Sequence, residues 1–155
     1  MKKLISMVLA GILAVGIMTG CTPSGSVDLS GQLTDGVYRV EFEDFDSYGW
    51  KDFVEVTIAD GELYEVVFDA VNEDGTKLKS EDESYRNQME MIVGTYPAKF
   101  NKDLINQFIS SGKVTGVDIV AGATESTGNF KTLVIAAMEN AMTGDTEVKV
   151  IPNVY

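Results

Sequence analysis

The chain has 155 residues, with 12 Lys or Arg, 24 Asp or Glu and no His, which gives a formal charge of −12. So acidic a chain repels phosphate backbones and anionic lipid headgroups, which argues against nucleic acid as a partner and against membrane docking through basic side chains. One Cys and no His exclude an internal disulfide, a Cys/His zinc site, a c-type haem attachment motif, a His general base and a Ser-His-Asp triad.

The first 20 residues are predicted to be an export signal. Lys2 and Lys3 form a short positive region, and 4–18 is an uncharged run of 15 residues, too short for a comfortable membrane span. The sequence MTGC at 18–21 resembles the lipobox of bacterial lipoproteins, in which the Cys is lipidated and becomes the new N-terminus, although Met stands where Leu is usual. The alternative is a signal peptide cut by the ordinary peptidase, with Cys21 a bystander.

The predicted mature protein is therefore a lipoprotein held by lipid at Cys21 on the extracytoplasmic face of a bacterial cell membrane. Residues 21–34 are rich in Ser, Gly, Thr and Asp without a sustained period, which predicts a flexible tether. Residues 35–155 are long enough for one domain with its own core.

Three antiparallel strands are predicted at the start of this domain. Apolar residues alternate with polar ones in the first two strands, at Tyr38, Val40 and Phe42 and then at Val54, Val56 and Ile58. Asp60-Gly61 suits a type I′ hairpin turn, because both residues tolerate a positive φ. The third strand is expected over Leu63–Ala70, with Tyr64, Val66 and Phe68 on one face.

Helices dominate the second half. Ser80-Glu81-Asp82-Glu83 fits a capping box for a first helix that places Tyr85, Met89 and Ile92 on one side. A second helix is expected from Pro97 to Ser111-Gly112.

A short, partly buried strand is then predicted over Val114–Val120. A last helix is predicted from about Ser126 to Met142, and Glu147–Ile151 can add an edge strand. These elements predict an α+β fold, a curled antiparallel sheet with helices packed on one side.

Acidic residues gather in two clusters, at Glu41, Glu43, Asp44 and Asp46 and at Glu73, Asp74, Glu81, Asp82 and Glu83. Calcium prefers several carboxylates, but neither cluster has the spacing of an EF-hand loop, and acids at a helix start also favour the helix dipole. A solvated surface is the simpler interpretation. A glycosidase pair of carboxylates is weaker still, because no pair belongs to a predicted concave site.

The segment 118–127, DIVAGATEST, lies between a predicted strand and a predicted helix. Gly122 and Ala123 lack bulk, so a ligand or another protein can approach the backbone closely there. Thr124 and Ser126 place hydroxyl groups at or just before the helix start, where free N–H groups and the positive end of the dipole favour a phosphate. A turn without any ligand needs a small residue and a capping hydroxyl as well, so both interpretations stay open at this point.

Residues 118–124 resemble the flavinylation motif of FMN-binding domains, a family that includes flavin subunits of sodium-pumping NADH:quinone reductases. The family pattern is commonly Asp-x-x-Ser/Thr-Gly-Ala-Thr, and this chain has DIVAGAT. The resemblance covers most of the predicted domain, including DGVY at 35–38, the hairpin VEVTIADGEL at 54–63 and the helix after the motif. Together with the lipobox, DFDSYGWKD at 44–52 is similar to the small membrane-anchored FMN-binding lipoproteins.

The resemblance implies that FMN is joined through its phosphate to Thr124 by a separate flavin transferase that uses FAD as donor. It further implies that Asp118 assists the transferase or orients the turn, and that Gly122 and Ala123 give access to the acceptor hydroxyl. Ala121 stands where Ser or Thr is frequent in the family. This departure leaves slower modification, or FMN held non-covalently, as the alternative.

Tyr48 and Trp50, on the loop that joins the first two predicted strands, are candidates for stacking on the isoalloxazine ring. The alternative for both is ordinary packing at the end of a hairpin.

A folded part without His, thiol or metal ligands has no redox chemistry of its own, and a flavin supplies it. We therefore expect an electron-transfer flavoprotein rather than an enzyme with its own substrate pocket, working between a membrane redox donor and an extracytoplasmic acceptor. The competing class is a lipoprotein that binds flavin or another small ligand non-covalently without electron transfer. A third class is a structural surface antigen whose motif is vestigial.

Overall fold

Seven regular elements and two short 3₁₀ turns make up residues 32–154, the part of the chain that the computed structural model describes. The predicted signal peptide, the predicted lipidation site Cys21 and most of the predicted tether lie outside these residues. In chain order the elements are β1 (Gly36–Phe42), β2 (Trp50–Ala59), β3 (Glu62–Asn72), a 3₁₀ turn (Lys79–Glu81), α1 (Glu83–Val93), α2 (Pro97–Ser111), a 3₁₀ turn (Val114–Gly116), α3 (Thr124–Thr143) and β4 (Lys149–Ile151).

The strands form one open sheet in the order β3-β2-β1-β4. β1, β2 and β3 are an antiparallel meander, as predicted, whereas β4 joins the outer edge of β1 in parallel, with Phe42 opposite Ile151. The packed chain begins before the expected boundary at residue 35, because Leu33 is buried and the N–H of Thr34 donates to the carbonyl of Ala141 on α3.

The core lies between one face of the sheet and the helices. Phe68 on β3, Phe108 on α2 and Phe130 on α3 meet edge to face, with ring centroids 5.2 Å and 6.0 Å from that of Phe130. The opposite face of the sheet is mixed: Glu41 pairs there with Lys51 at 2.8 Å, and the guanidinium of Arg39 covers the buried ring of Phe53 at 3.8 Å. The predicted α+β fold with helices on one side of the sheet is therefore confirmed.

A β-bulge makes the prediction for Tyr64 wrong. The register changes between Thr57 and Ile58 of β2, so that Leu63 lies opposite Ile58 and Tyr64 has no partner. One extra residue reverses the in-and-out alternation of a strand. Tyr64 is consequently 75% exposed, while Leu63 packs partly against the core.

The predicted strand over Val114–Val120 is also wrong. This segment starts with the 3₁₀ turn Val114–Gly116 and pairs with no strand of the described chain. Val114 and Val117 are both buried, and a spacing of three residues is the period of a 3₁₀ helix rather than of a strand.

The start of α1 differs from the predicted capping box. Asp82, rather than Ser80, is the N-cap, and its side chain accepts a hydrogen bond from the N–H of Tyr85. Ser80 instead donates through its N–H (3.1 Å) and through its hydroxyl to the carboxylate of Asp69 on β3. These bonds fasten the 3₁₀ turn to the sheet and thereby place Lys79. No residue of α1 is buried, whereas α2 runs from Pro97 to Ser111 as predicted.

Candidate functional site

A cavity of about 360 Å³ lies at the end of the sheet where three segments converge. We call it the main cavity. Its walls are the loop between β1 and β2, the 3₁₀ turn at Lys79 with α1, and the turn before α3 with the first residues of that helix. The volume is within the range of small-molecule sites, which run from about 300 to 1,000 Å³.

The N-terminus of α3 forms the polar wall of the main cavity. α3 begins at Thr124, two residues earlier than expected, and its N-cap Ala123 offers no side-chain hydrogen bond. The N–H groups of Thr124, Glu125 and Ser126 have no protein acceptor among the described residues. These free N–H groups and the helix dipole make the wall attractive for an anion.

The hydroxyl of Thr124 is free in the described chain, and the residue is exposed on the cavity wall. The hydroxyl that stabilises this turn belongs to Thr127, which donates to the carbonyl of Ala123 (2.8 Å) and accepts from the N–H of Val120 (3.3 Å). The local fold therefore does not need the hydroxyl of Thr124, which leaves it available for chemistry.

Gly122 is required by the turn itself. Its φ is +79°, and a Cβ there would lie 3.0 Å from the Cβ of Val93 and 3.1 Å from the carbonyl oxygen of Val93. We expect Gly122→Ala to lower the free energy of unfolding by about 1–3 kcal/mol, because the residue is strained and the contact is backbone.

Urea unfolding measures this change, and Gly128→Ala is its control. Gly128 lies within α3, and a Cβ there meets nothing within 4 Å. That control is expected to be stabilising by roughly 0.5–1 kcal/mol. Equal stability of the two variants would contradict the requirement for glycine at position 122.

Charged and amide side chains form the floor of the main cavity. Asn129 donates through Nδ2 to Oδ2 of Asp52 at 2.7 Å, and Lys79 pairs with Asp46 at 3.2 Å. Burial raises the pKa of Asp52 to about 6, although Lys79 and the amide of Asn129 oppose the shift. Burial favours the neutral amine of Lys79, but acidic neighbours, chiefly Asp52, outweigh it and raise the pKa of Lys79. The floor thus carries one firmly held cation and one carboxyl that is reluctant to ionise.

Aromatic and apolar side chains form the remaining wall. Tyr48 is 75% exposed at the rim, and Tyr85 and Met89 of α1 face it across the opening. A second cavity of about 210 Å³ shares these three residues with the main cavity and extends along α1 to Ile92. Tyr85, Met89 and Ile92 therefore share one side of α1, as predicted.

Four of the residues predicted for the site line the main cavity: Tyr48, Gly122, Ala123 and Thr124. Trp50 does not line it, because its ring is buried and packs edge to face on Tyr85 at 6.2 Å. Asp118 and Ala121 are exposed on the approach to α3, outside the cavity wall, where the N–H of Asp118 donates to Oε1 of Gln107.

Sequence reasoning missed Asp52, Lys79, Tyr85 and Asn129 as site residues. A signal for two of them exists, since Asp52 continues the buried face of β2 below Val54 and Asn129 lies next to the buried Phe130 on α3. A polar side chain in phase with a core stripe is a functional candidate, because burying it costs stability.

The acidic clusters form ordinary polar contacts. Asp46 accepts from the N–H groups of Tyr48 and Trp50, and Asp82 pairs with Lys77 at 2.8 Å. Across residues 32–154, no group of three or more ligating side chains could hold a metal ion. Within the same part of the chain, no helix has the length and apolar composition needed to cross a bilayer.

No family model matches the chain. The 15 kDa lipoprotein of Treponema pallidum is 36% identical over 115 residues, which cover 74% of this chain and 81% of that protein. The crystal structure of a protein from Clostridium perfringens matches this chain with a TM-score of 0.72 and 30% sequence identity. The match covers 77% of this chain and 98% of the Clostridium perfringens chain. The chain therefore belongs to the family of small lipoproteins that includes the 15 kDa lipoprotein of Treponema pallidum.

Proposed function

We propose that this protein is an extracytoplasmic lipoprotein, anchored by lipid at Cys21, that carries FMN joined through its phosphate to Thr124 and transfers electrons at the membrane. One observation carries the proposal. The free hydroxyl of Thr124 stands on the wall of a 360 Å³ cavity, beside three N–H groups that lack acceptors in the described chain. The lipid anchor is supported by membership of a lipoprotein family and by the lipobox-like sequence at 18–21.

The residues of the main cavity fit the phosphate end of FMN. The free N–H groups at the start of α3 are suited to donate to phosphate oxygens, and Lys79 supplies a positive charge on the floor. Asp46, Asp52 and Glu125 oppose an anion there. A phosphodiester carries one negative charge, fewer than free FMN, so covalent attachment reduces this repulsion.

The other end of FMN fits the aromatic wall. Tyr48, Tyr85 and Met89 provide flat and polarisable surface where the main cavity meets the second cavity. Because Tyr48 stands at the exposed rim, a flavin held by these residues would be accessible to a redox partner. Exposure suits a carrier, since electrons pass to a partner that binds only briefly.

The bound flavin supplies the one- and two-electron chemistry that the side chains lack. The chain holds that group in place, orients it and sets the charge around it. Attachment to Thr124 also prevents the cofactor from diffusing away outside the cell. The partners of this function are a flavin transferase that uses FAD as donor, a membrane redox donor and an extracytoplasmic acceptor. A tether between the lipid and the folded domain lets the domain reach both redox partners.

Intact mass of the exported domain, with the lipidated Cys omitted, tests the attachment. Coexpression with a flavin transferase is expected to add the mass of FMN minus water to nearly every molecule, and expression without the transferase serves as control. An unchanged mass with yellow colour that is lost on denaturation would replace the proposal with a reversible flavin binder. An unchanged mass without colour would leave a tethered lipoprotein that carries no flavin.

A further inference from the structure

Asp52 is an acidic residue at a position where the fold elsewhere places apolar side chains. Val54, Val56 and Ile58 of β2 are buried on the face that meets the helices, and Asp52 continues that face to the end of the strand at the main cavity. A buried carboxylate lowers the stability of the fold unless a partner compensates its charge. Its presence on the cavity floor therefore points to a role in the cavity rather than in the core.

The charge of Asp52 is only partly compensated. Its one hydrogen bond in the described chain comes from the neutral amide of Asn129, and no Lys or Arg of residues 32–154 lies within 4.0 Å of it. Lys79 acts on Asp52 through its charge, but its ion pair is with Asp46 at 3.2 Å. Asp52 is thus a cavity carboxyl without an ion pair of its own, and a new charge in the cavity acts on it directly.

The elements around Asp52 contribute titratable or charged groups, except α2, whose residues near Asp52 are Pro97, Phe100 and Asn101. The titratable or charged groups are Asp46 on the β1–β2 loop, Asp69 on β3, Lys79 on the 3₁₀ turn, Tyr85 on α1 and Glu125 on α3. Burial raises the pKa of Asp52 to about 6, Lys79 and Asn129 oppose that shift, and Asp46 and Glu125 add to it. Asp69 is already engaged, since it accepts hydrogen bonds from Ser80 and from the N–H of Ala70.

We propose that Asp52 is a redox-linked proton acceptor, which binds a proton from solvent when flavin in the main cavity is reduced and releases it when the flavin is oxidised. This inference rests on the proposed function. Two electrons from a reductant and one proton from solvent convert the flavin to its reduced anion, and a second solvent proton converts the Asp52 carboxylate to the acid. Oxidation returns two electrons to the acceptor and both protons to solvent.

Electrostatics sets the size of the effect. An added unit charge within about 10 Å, at an effective dielectric constant of about 20, strengthens proton binding by a carboxyl roughly tenfold or more. The pKa of Asp52 should therefore be about one unit or more higher in the reduced protein than in the oxidised protein. Between these two values, reduction takes up one proton beyond those that the flavin itself requires.

The midpoint potential of the flavin-loaded protein, measured against pH by spectroelectrochemistry with dithionite as reductant, tests this inference. The wild-type protein should show a steeper fall of potential with pH than Asp52→Asn, in an interval that begins at or above pH 6, because the negative charge of the phosphodiester favours protonation of Asp52 further. The difference between the two curves isolates Asp52, because the protonation of the flavin itself is common to both. Glu55→Gln is the control, since Glu55 lies on the same strand but on the opposite face, and the variant changes net charge equally.

A second variant keeps the inference testable if Asp52→Asn does not fold. Asn129→Ala removes the hydrogen bond that favours the carboxylate, so the steep region should move to higher pH. Curves of Asp52→Asn and wild type that run parallel from pH 5 to 8 would overturn the proposal. An intact mass without flavin in all proteins would instead overturn the proposed function and this inference with it.

Stability of the flavin-free domain gives an independent measurement. The folded protein holds the Asp52 proton more tightly than the unfolded chain, whose carboxyl has the ordinary value of 3.8. The contribution of protonated Asp52 to the free energy of unfolding is therefore complete below about pH 4, and it is lost as pH rises through about 6. Relative to Asp52→Asn, the wild-type domain should lose stability over this interval, and a pH-independent difference would contradict the environment assigned to Asp52.

Discussion

Thr124→Val is expected to abolish the covalent attachment of FMN completely. The substitution replaces the proposed acceptor hydroxyl with a methyl group of similar size and leaves the backbone N–H groups at the start of α3 unchanged. The Thr124 hydroxyl has no hydrogen bond in the described chain, and the residue is exposed. Stability should therefore change by no more than about 0.5 kcal/mol. Intact mass after coexpression with a flavin transferase, together with thermal unfolding, measures both expectations.

Two further variants test whether the Thr124 hydroxyl oxygen itself is the site of attachment. Thr132→Val makes the same substitution eight residues further along α3, where the hydroxyl only donates to the carbonyl of Gly128, so the mass gain should be retained. Thr124→Ser keeps the hydroxyl and should restore attachment. If Thr124→Val still carries covalent flavin, the acceptor is another residue, and fragmentation of the labelled peptide would identify it.

Phe130→Ala is expected to lower the free energy of unfolding by about 3–5 kcal/mol, the largest stability effect we predict. Phe130 on α3 is fully buried, and its ring contacts those of Phe68 and Phe108, so that one side chain connects β3, α2 and α3. Its removal leaves a cavity that three elements would have to close together. Urea unfolding followed by circular dichroism measures the loss.

Tyr64→Thr is the matched control for Phe130→Ala. It also removes an aromatic ring, but Tyr64 is 75% exposed at the bulge in β3, and Thr retains a preference for strands. The free energy of unfolding should change by no more than about 0.5 kcal/mol. A large loss would mean that Tyr64 packs inward in solution and that the bulge is absent.

Local patterns predicted most of the fold. Alternation identified β1 and β2, Asp60-Gly61 identified the turn between β2 and β3, and Pro97 with Gly112 bounded α2. Each of these signals acts within a few residues of the chain. The bulge at Tyr64 was missed because it depends on how two strands align.

Apart from Tyr48, the residues of the candidate site that the sequence predicted are continuous along the chain. Gly122, Ala123 and Thr124 adjoin one another and were identified together, whereas Asp52 and Asn129 are 77 residues apart and meet only in the folded protein. Trp50 was predicted as a site residue because it is close to Tyr48 in sequence, although it does not line the main cavity. It neighbours the exposed Tyr48 in sequence, but it alternates with Lys51 along β2 and its ring packs inward.

The absence of any buried residue in α1 has a consequence for how Thr124 is reached. α1 supplies Tyr85 and Met89 to the cavity wall, and its separation from the domain would uncover the ring of Trp50 on β2 and the part of the core that Met89 contacts, while the rings of Phe68, Phe108 and Phe130 pack on one another. The free energy of such a local opening is smaller than that of global unfolding, and amide hydrogen exchange measures the two separately. Under the proposed function, the wall that would enclose the flavin is thus formed in part by an element without a buried residue. If FMN is attached to Thr124 as proposed, local opening of α1 would give the modifying enzyme access while the rest of the protein stays folded.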